Sequence, residues 1–239
     1  MVDIHTHILP FIDDGASSYE ESLEMLRVMV SNGVKKVVAT PHFDFETDNL
    51  DDFLSKRSEV YTELVNRVSN SKIDIEILLG CELMYTPALS SMDLSPFSIN
   101  NSDYVLIELS TRYDDPSLYS TLNSVISSGY IPILAHVERY SYLINDSNRL
   151  VELVNLGVLT QVNTSSHGND RYPFVQALFK HNLTHLIASD AHNIERRLPD
   201  LRISLVGGKI LKDMYKVINN DLVDTGKVSK IKKLFNKYF

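Results

Sequence analysis

Short β-branched runs recur along the chain, each followed by a longer stretch with helical periodicity. VDI (2–4), VKKVVAT (34–40), IDIEILL (73–79), YVLIEL (104–109), YIPILA (130–135), VLTQVN (158–163) and THLIAS (184–189) predict strands. Between them, Ser18 with Glu21 predicts a capping box opening a helix that Gly33 closes. Asp115 followed by Pro116 predicts an N-cap and N1 pair, with Gly129 as the stop. Residues 49–70, 147–157 and 171–182 complete the expected helices, while 80–103 and 109–115 read as loops. No repeat, low-complexity tract or linker interrupts the alternation, so a single domain over 1–239 is expected. About seven β/α units predict an α/β barrel or barrel-like sheet, with a doubly wound open sheet as competitor. The tail closes on a basic amphipathic helix at about 227–238, with Val228, Ile231, Leu234 and Phe235 on one face. Packing of that face on the barrel is the favoured reading, and a membrane surface the alternative.

Composition narrows the class. The net charge of -8 over 239 residues argues against a nucleic-acid-binding face, which needs clustered Lys and Arg. Cys81 is the one cysteine, so no internal disulfide forms and a reducing compartment is expected. There is no basic leader and no apolar run of roughly 18 residues, so neither signal peptide nor membrane span is expected. Cytoplasmic location is the default.

Both candidate architectures place chemistry at the carboxyl ends of the strands. His5 and His7, two apart on the first strand, point the same way, and Asp13 and Asp14 follow in its loop. His42 follows the second strand and Glu82 the third; Glu108, His136, Asp190 and His192 mark later ones. Singly, each reads as a cap or a paired surface charge. Together, six of seven strand ends bear His, Asp or Glu, and burying so many ionisable groups requires a compensating cation. The absence of thiolate suits Zn, Mn or Fe, and the carboxylates lean towards Mn. Leaving Asp13 aside as a turn cap, nine candidates exceed the needs of one ion, so two or three ions sharing a bridging carboxylate are expected. Other chemistries fail: the residue six after Cys81 is Pro87, where a cysteine phosphatase needs Arg. No P-loop, G-x-S-x-G or dinucleotide fingerprint is present, and Gly207-Gly208 is a weak signal.

HTH (5–7), PH (41–42), the strand-end glutamates, AHVERY (135–140) and SDAHN (189–193) resemble the PHP (polymerase and histidinol phosphatase) superfamily. DIHTHILPFIDDG, ELMYTP from Glu82, LIELS, HVERY, TQVN and IASDAHN are similar to one branch of it, in order and spacing to about residue 200. That branch is the bacterial manganese-dependent tyrosine-protein phosphatases of capsule and exopolysaccharide operons, the CpsB/CapC type.

The resemblance implies a distorted (β/α)7 TIM-like barrel and a three-metal site. His5, His7, Asp190 and bridging Glu82 would hold a first metal. Glu82, Glu108 and His136 would hold a second, and Asp14, His42 and His192 a third. Arg139 and Arg197 would bind phosphate, with Arg197 preferred over Arg196 within ERRLPDL. Asp13 is assigned only to capping the turn into Gly15. The implied substrate is phosphotyrosine on the tyrosine-rich C-terminal tail of a membrane-associated kinase, which would bring a cytoplasmic enzyme to the inner membrane. The rivals are a histidinol-phosphatase-type phosphomonoesterase, an amidohydrolase and a non-catalytic regulator. No strand-end Lys suits the amidohydrolase, and the full ligand set disfavours the regulator. Tyr85, Tyr140 and Tyr172 are candidates for an aromatic rim; His167, His181 and His185 are expected at the surface or in loops.

Overall fold

The structure, a computed structural model, describes residues 1–166, 172–202, 206–226 and 228. Apart from Val228, the expected helix at about 227–238 lies outside the described residues, as do His167 and the side chain of Tyr172.

The strands are β1 (Val2–Thr6), β2 (Lys36–Ala39), β3 (His42–Phe43), β4 (Glu76–Leu79), β5 (Glu82–Met84), β6 (Tyr104–Glu108), β7 (Ile131–Leu134), β8 (Leu159–Asn163) and β9 (Leu186–Ala188). Among the described residues all pairings are parallel, in the orders β1-β2-β4 and β3-β5-β6-β7-β8-β9. β2 and β3 are two halves of one bent strand, broken at Thr40-Pro41, and β4 and β5 are likewise broken at Gly80-Cys81. Arg57 braces the second bend by donating to Gly80 O at 3.1 Å and Pro96 O at 2.7 Å. Counted this way the described residues hold the seven strand positions that the hydrophobic runs predict. The last meets the first through Asp190 N to His5 O (3.0 Å), His7 N to Ala191 O (2.8 Å) and a parallel bridge between Thr6 and Ala191. These join β1 to the segment after β9 without a continuous ladder.

The helices are α1 (Tyr19–Ser31), α2 (Leu50–Ser69), α3 (Leu118–Ser127), α4 (Ser141–Asn145), α5 (Ser147–Leu156), α6 (Tyr172–Lys180) and α7 (Gly208–Asn219). Ser18 Oγ accepts from Glu21 N as a cap, but the Glu21 carboxylate takes Ser17 N and Oγ instead of completing the box. α3 starts later than Asp115-Pro116 predicts, because Asp115 Oδ1 engages Ser117 N and Oγ at 2.7 Å in a side-chain turn ahead of the helix. The segment 80–103, expected as loop, holds β5 and three short 3-10 turns. α4 and α7 are additions to the expected set. In α7 the buried Ile210, Met214, Val217 and Ile218 follow helical spacing, and the helix packs on β1 and β9. Gly207 and Gly208, at its cap and first position, mask that pattern in the sequence.

Buried aliphatic side chains from the strands and helices form one continuous core. It supports the strands from below and outside, leaving their carboxyl ends for polar groups.

Candidate metal centre

All nine ligand candidates lie at that carboxyl end. His5 and His7 alternate on and just after β1, so both rings point inward, with Nε2 atoms 3.2 Å apart. The chain then folds back: Ala16 N donates to His7 O, and a Cβ on Gly15 would sit 2.2 Å from that same oxygen. Only glycine allows this approach, which carries Asp13 and Asp14 over the ring. His42 pairs with Glu82 in the β3–β5 register, and Met84 with Glu108 in that of β5–β6, so the carboxylates enter from adjacent strands. His136 (φ 29°) and Asp190 (φ 53°) both adopt left-handed backbone just past their strands. Such backbone is costly for non-glycine residues and here turns ligand-type side chains into the site.

Glu82 is the centre. Its Oε2 lies 3.0 Å from His5 Nε2 and 3.2 Å from both His7 Nε2 and His42 Nδ1, and its Oε1 lies 3.0 Å from His136 Nε2. One set of mutually close donor atoms comes from His5, His7, Glu82 and Asp190, a second from His7, Asp14, His42 and His192, and a third from His42, Glu82 and Glu108. His136 joins the last through Glu108 Oε1 at 3.5 Å. The first set coincides with the implied first-metal group. The others show His7 and His42 each reaching two groups, where the resemblance assigns one.

The imidazoles are held from behind. His7 Nδ1 bonds Asp13 Oδ2 at 2.7 Å, His136 Nδ1 faces the Tyr140 hydroxyl at 3.2 Å, and His192 Nδ1 faces Asp190 O at 3.0 Å. Asp13 does cap Gly15 N at 3.0 Å, and it also takes His42 N at 2.9 Å; its bond to His7 is the part its capping role leaves out. With protons engaged at Nδ1 by pure acceptors, the Nε2 lone pairs of His7 and His192 face carboxylate oxygens. Such an arrangement requires positive charge between them. Burial acts to lower the His7 pKa, yet Asp13, Asp190 and Glu82 hold it well above the ordinary value. Conversely, burial acts to raise Glu82, and His5, His136 and His7 hold it well below its ordinary range. Burial together with the Glu82 charge pushes Glu108 up to about 7, and burial brings His136 down to about 4. Among the described residues Asp190 Oδ1 makes no hydrogen bond, while it lies 3.4 Å from His5 Nε2 and 3.5 Å from His7 Nε2. The residues fit divalent cations.

The arginines lie across this cluster. Arg139 Nη2 and Arg197 Nη2 both donate to Asp190 Oδ2 at 2.6 Å, and Arg197 Nη1 is 2.6 Å from His192 Nε2. Asn193 Oδ1 accepts the backbone N–H groups of Glu195, Arg196 and Arg197, a turn that directs Arg197 inward and leaves Arg196 exposed.

Two further expectations need correction. Tyr140 is fully buried, its hydroxyl engaged by Leu109 N, so it supports the site from within and forms no rim. His185 is buried, with Nδ1 accepting from Thr160 N, because it lies just ahead of β9. Tyr85 lines a cavity of about 300 Å³ that opens beside Glu108, together with Met84, Leu109 and Tyr113.

A ring of parallel strands with a histidine–carboxylate cluster at their carboxyl ends defines an α/β protein built for metal ions. Residues 1–223 match the capsular polysaccharide synthesis family CpsB/CapC, and the chain belongs to that family. The tyrosine-protein phosphatase CpsB of Streptococcus agalactiae is 34% identical over 237 residues, covering 92% of this chain and 90% of the relative. The tyrosine-protein phosphatase YwqE of Bacillus subtilis is 32% identical over 208 residues, with 82% and 79% covered. The fold matches, at TM-score 0.87 and 26% identity, one of the crystal structures of YwqE from B. subtilis and CpsB from Streptococcus pneumoniae, which are described as metal-dependent tyrosine phosphatases. That match covers 98% of this chain and 100% of the other.

Proposed function

We propose that this protein is a metal-dependent protein-tyrosine phosphatase. The carrying observation is the convergence of His5, His7, Glu82 and Asp190 donor atoms on one point. In this reading that set holds a first ion, Glu82, Glu108 and His136 a second, and Asp14, His42 and His192 a third. Manganese suits the carboxylate-rich donors, with iron and zinc as alternatives. Such ions supply a nucleophile from water near neutral pH and counter the charge of the phosphate.

The protein's own groups do the remainder. Arg139 and Arg197, partly exposed at the cluster's mouth, bind phosphate oxygens by charge-assisted bonds. Leu109, Met84 and Tyr85 wall the cavity beside Glu108, which takes the aromatic ring of the substrate. Tyr85 is held rigid there by bonds from its hydroxyl to Ser117 and Thr121. A tyrosinate leaving group, with a pKa near about 10, needs little protonation, and the reading requires no separate acid.

The tyrosine-phosphatase names of the relatives and the capsule description of the family support a phosphotyrosine protein substrate in capsular or exopolysaccharide synthesis. The finer reading is the C-terminal tyrosine cluster of a membrane-associated kinase, met from the cytoplasm. No described helix is long and apolar enough to cross a membrane. Elemental analysis joined to assays on a phosphotyrosine peptide and on histidinol phosphate tests the proposal. Bound or restorable Mn with preference for the peptide is expected. Absence of turnover after Mn addition sinks it, and preference for histidinol phosphate replaces it with the small-molecule reading.

A further inference from the structure

Of the seven strand positions, that of β8 is the one whose end carries no His, Asp or Glu, yet it lies between the strands that supply His136 and Asp190. Its alternate residues Gln161 and Asn163 are buried and point towards the cluster. We propose that these two amides form a relay that sets the polarity of two ligands, His5 and Asp190, and anchors the backbone of a third, His136. The inference rests on the metal reading above.

The direction of every bond in the relay follows from one backbone group. His136 N–H, which can only donate, lies 2.9 Å from Gln161 Oε1 and so fixes which end of that amide is oxygen. The same oxygen is 3.2 Å from His5 Nδ1, so neutral His5 carries its proton there and keeps its Nε2 lone pair for the cluster. Gln161 Nε2 then donates to Asn163 Oδ1 at 2.7 Å, which leaves Asn163 Nδ2 to donate to Asp190 Oδ2, also at 2.7 Å. With both arginines also on Oδ2, Asp190 presents Oδ1 to the point that His5 Nε2 faces, 3.4 Å away. The backbone of Asn163 is itself anchored, its N–H donating to Glu138 Oε1 at 2.9 Å.

The relay also touches both residues that hold left-handed backbone at the site, His136 through its N–H and Asp190 through its carboxylate. Gln161 and Asn163 are positioning residues: they reach the ions only through the ligands they aim.

The test is a double-mutant cycle on Mn²⁺ binding, using Gln161→Met and Asn163→Leu, which keep volume and remove polarity. Calorimetric titration of chelator-treated protein reads affinity, and circular dichroism in chelator reads folding. Each single variant is expected to weaken binding of one ion by about 10–100-fold. The double variant is expected to be little worse than either, because both break one relay. Unchanged affinity in folded variants, or losses that simply multiply, overturns the relay. If Gln161→Met does not fold, Gln161→Asn, whose amide falls short of its partners, carries the same expectation. If neither variant folds, the side chains serve the fold alone and the proposal fails. A wild-type chain that binds no Mn²⁺ instead counts against the metal reading on which the relay rests.

Discussion

Asp13 Oδ2 lies 2.7 Å from His7 Nδ1, and the same carboxylate holds the backbone N–H groups of Gly15 and His42. One side chain thus sets the proton position of a proposed ligand, the turn that carries Asp14, and the strand start that carries His42. Asp13→Asn keeps the shape but removes the charge, and its amide can present an N–H to His7 Nδ1. That would move the imidazole proton to Nε2, into the cluster. A loss of about 10–100-fold in Mn²⁺ affinity is expected, with a matching fall in turnover at low metal. Metal titration of activity checks it.

His136 lies 3.0 Å from Glu82 and 3.5 Å from Glu108 and has no role in the sheet ladder. His136→Ala is expected to abolish turnover while leaving the circular dichroism spectrum unchanged. Normal activity would remove the second ion from the scheme.

The two neighbouring arginines should separate cleanly. Arg197 bonds Asp190 and faces His192, whereas Arg196 is exposed. Arg197→Lys is expected to lower kcat by about 10²–10³-fold, on the scale of losing a transition-state donor. Arg196→Ala is expected to leave kcat within about twofold of wild type. Steady-state kinetics on a phosphotyrosine peptide decides this pair.

The cavity beside Glu108 offers a specificity test. Met84→Trp fills part of the cavity that Met84 lines with Glu108, Leu109 and Tyr113, and Met84 is itself no proposed ligand. The expected outcome is a rise in KM for a phosphotyrosine peptide of about tenfold, equivalent to about 1.4 kcal/mol, with Mn²⁺ affinity unchanged. Equal kinetics in wild type and variant would show that the substrate ring binds elsewhere.

His185 provides a pH dependence away from the cluster. Burial lowers its pKa from 6.5 to about 4. The unfolded chain therefore takes up a proton first, and the folded state loses stability as pH falls from 6.5 towards about 4. Above pH 6.5 the group has no effect. The shift corresponds to roughly 3 kcal/mol across that window. In His185→Gln that share of the acid sensitivity should disappear from denaturant melts at pH 4.5 and 7.5.

Much of this protein was legible in the order of its residues. Parallel strands announce themselves as short apolar runs, and a strand's two-residue period makes His5 and His7 share a side. Polar residues where such runs stop point to one end of an α/β ring. The bends at Pro41 and Gly80 were less visible, because each divides one strand without changing which end its ligand-type residue occupies. α7 is less visible because Gly207 and Gly208 occupy the cap and first position of an otherwise regular helical pattern.

Sequence by itself determined which residue types arrive at the carboxyl ends, since that depends on local period and strand length. Only the tertiary structure decided how they are aimed. The Nδ1 atom of His7 is fixed by a carboxylate six residues later, that of His5 by an amide on β8, and Asp190 by two arginines from separate loops. Hydrogen-bond polarity depends on which donor lies within about 3 Å of which acceptor. Groups so far apart in the chain acquire that relation only when the ring brings β8 and β9 back beside β1.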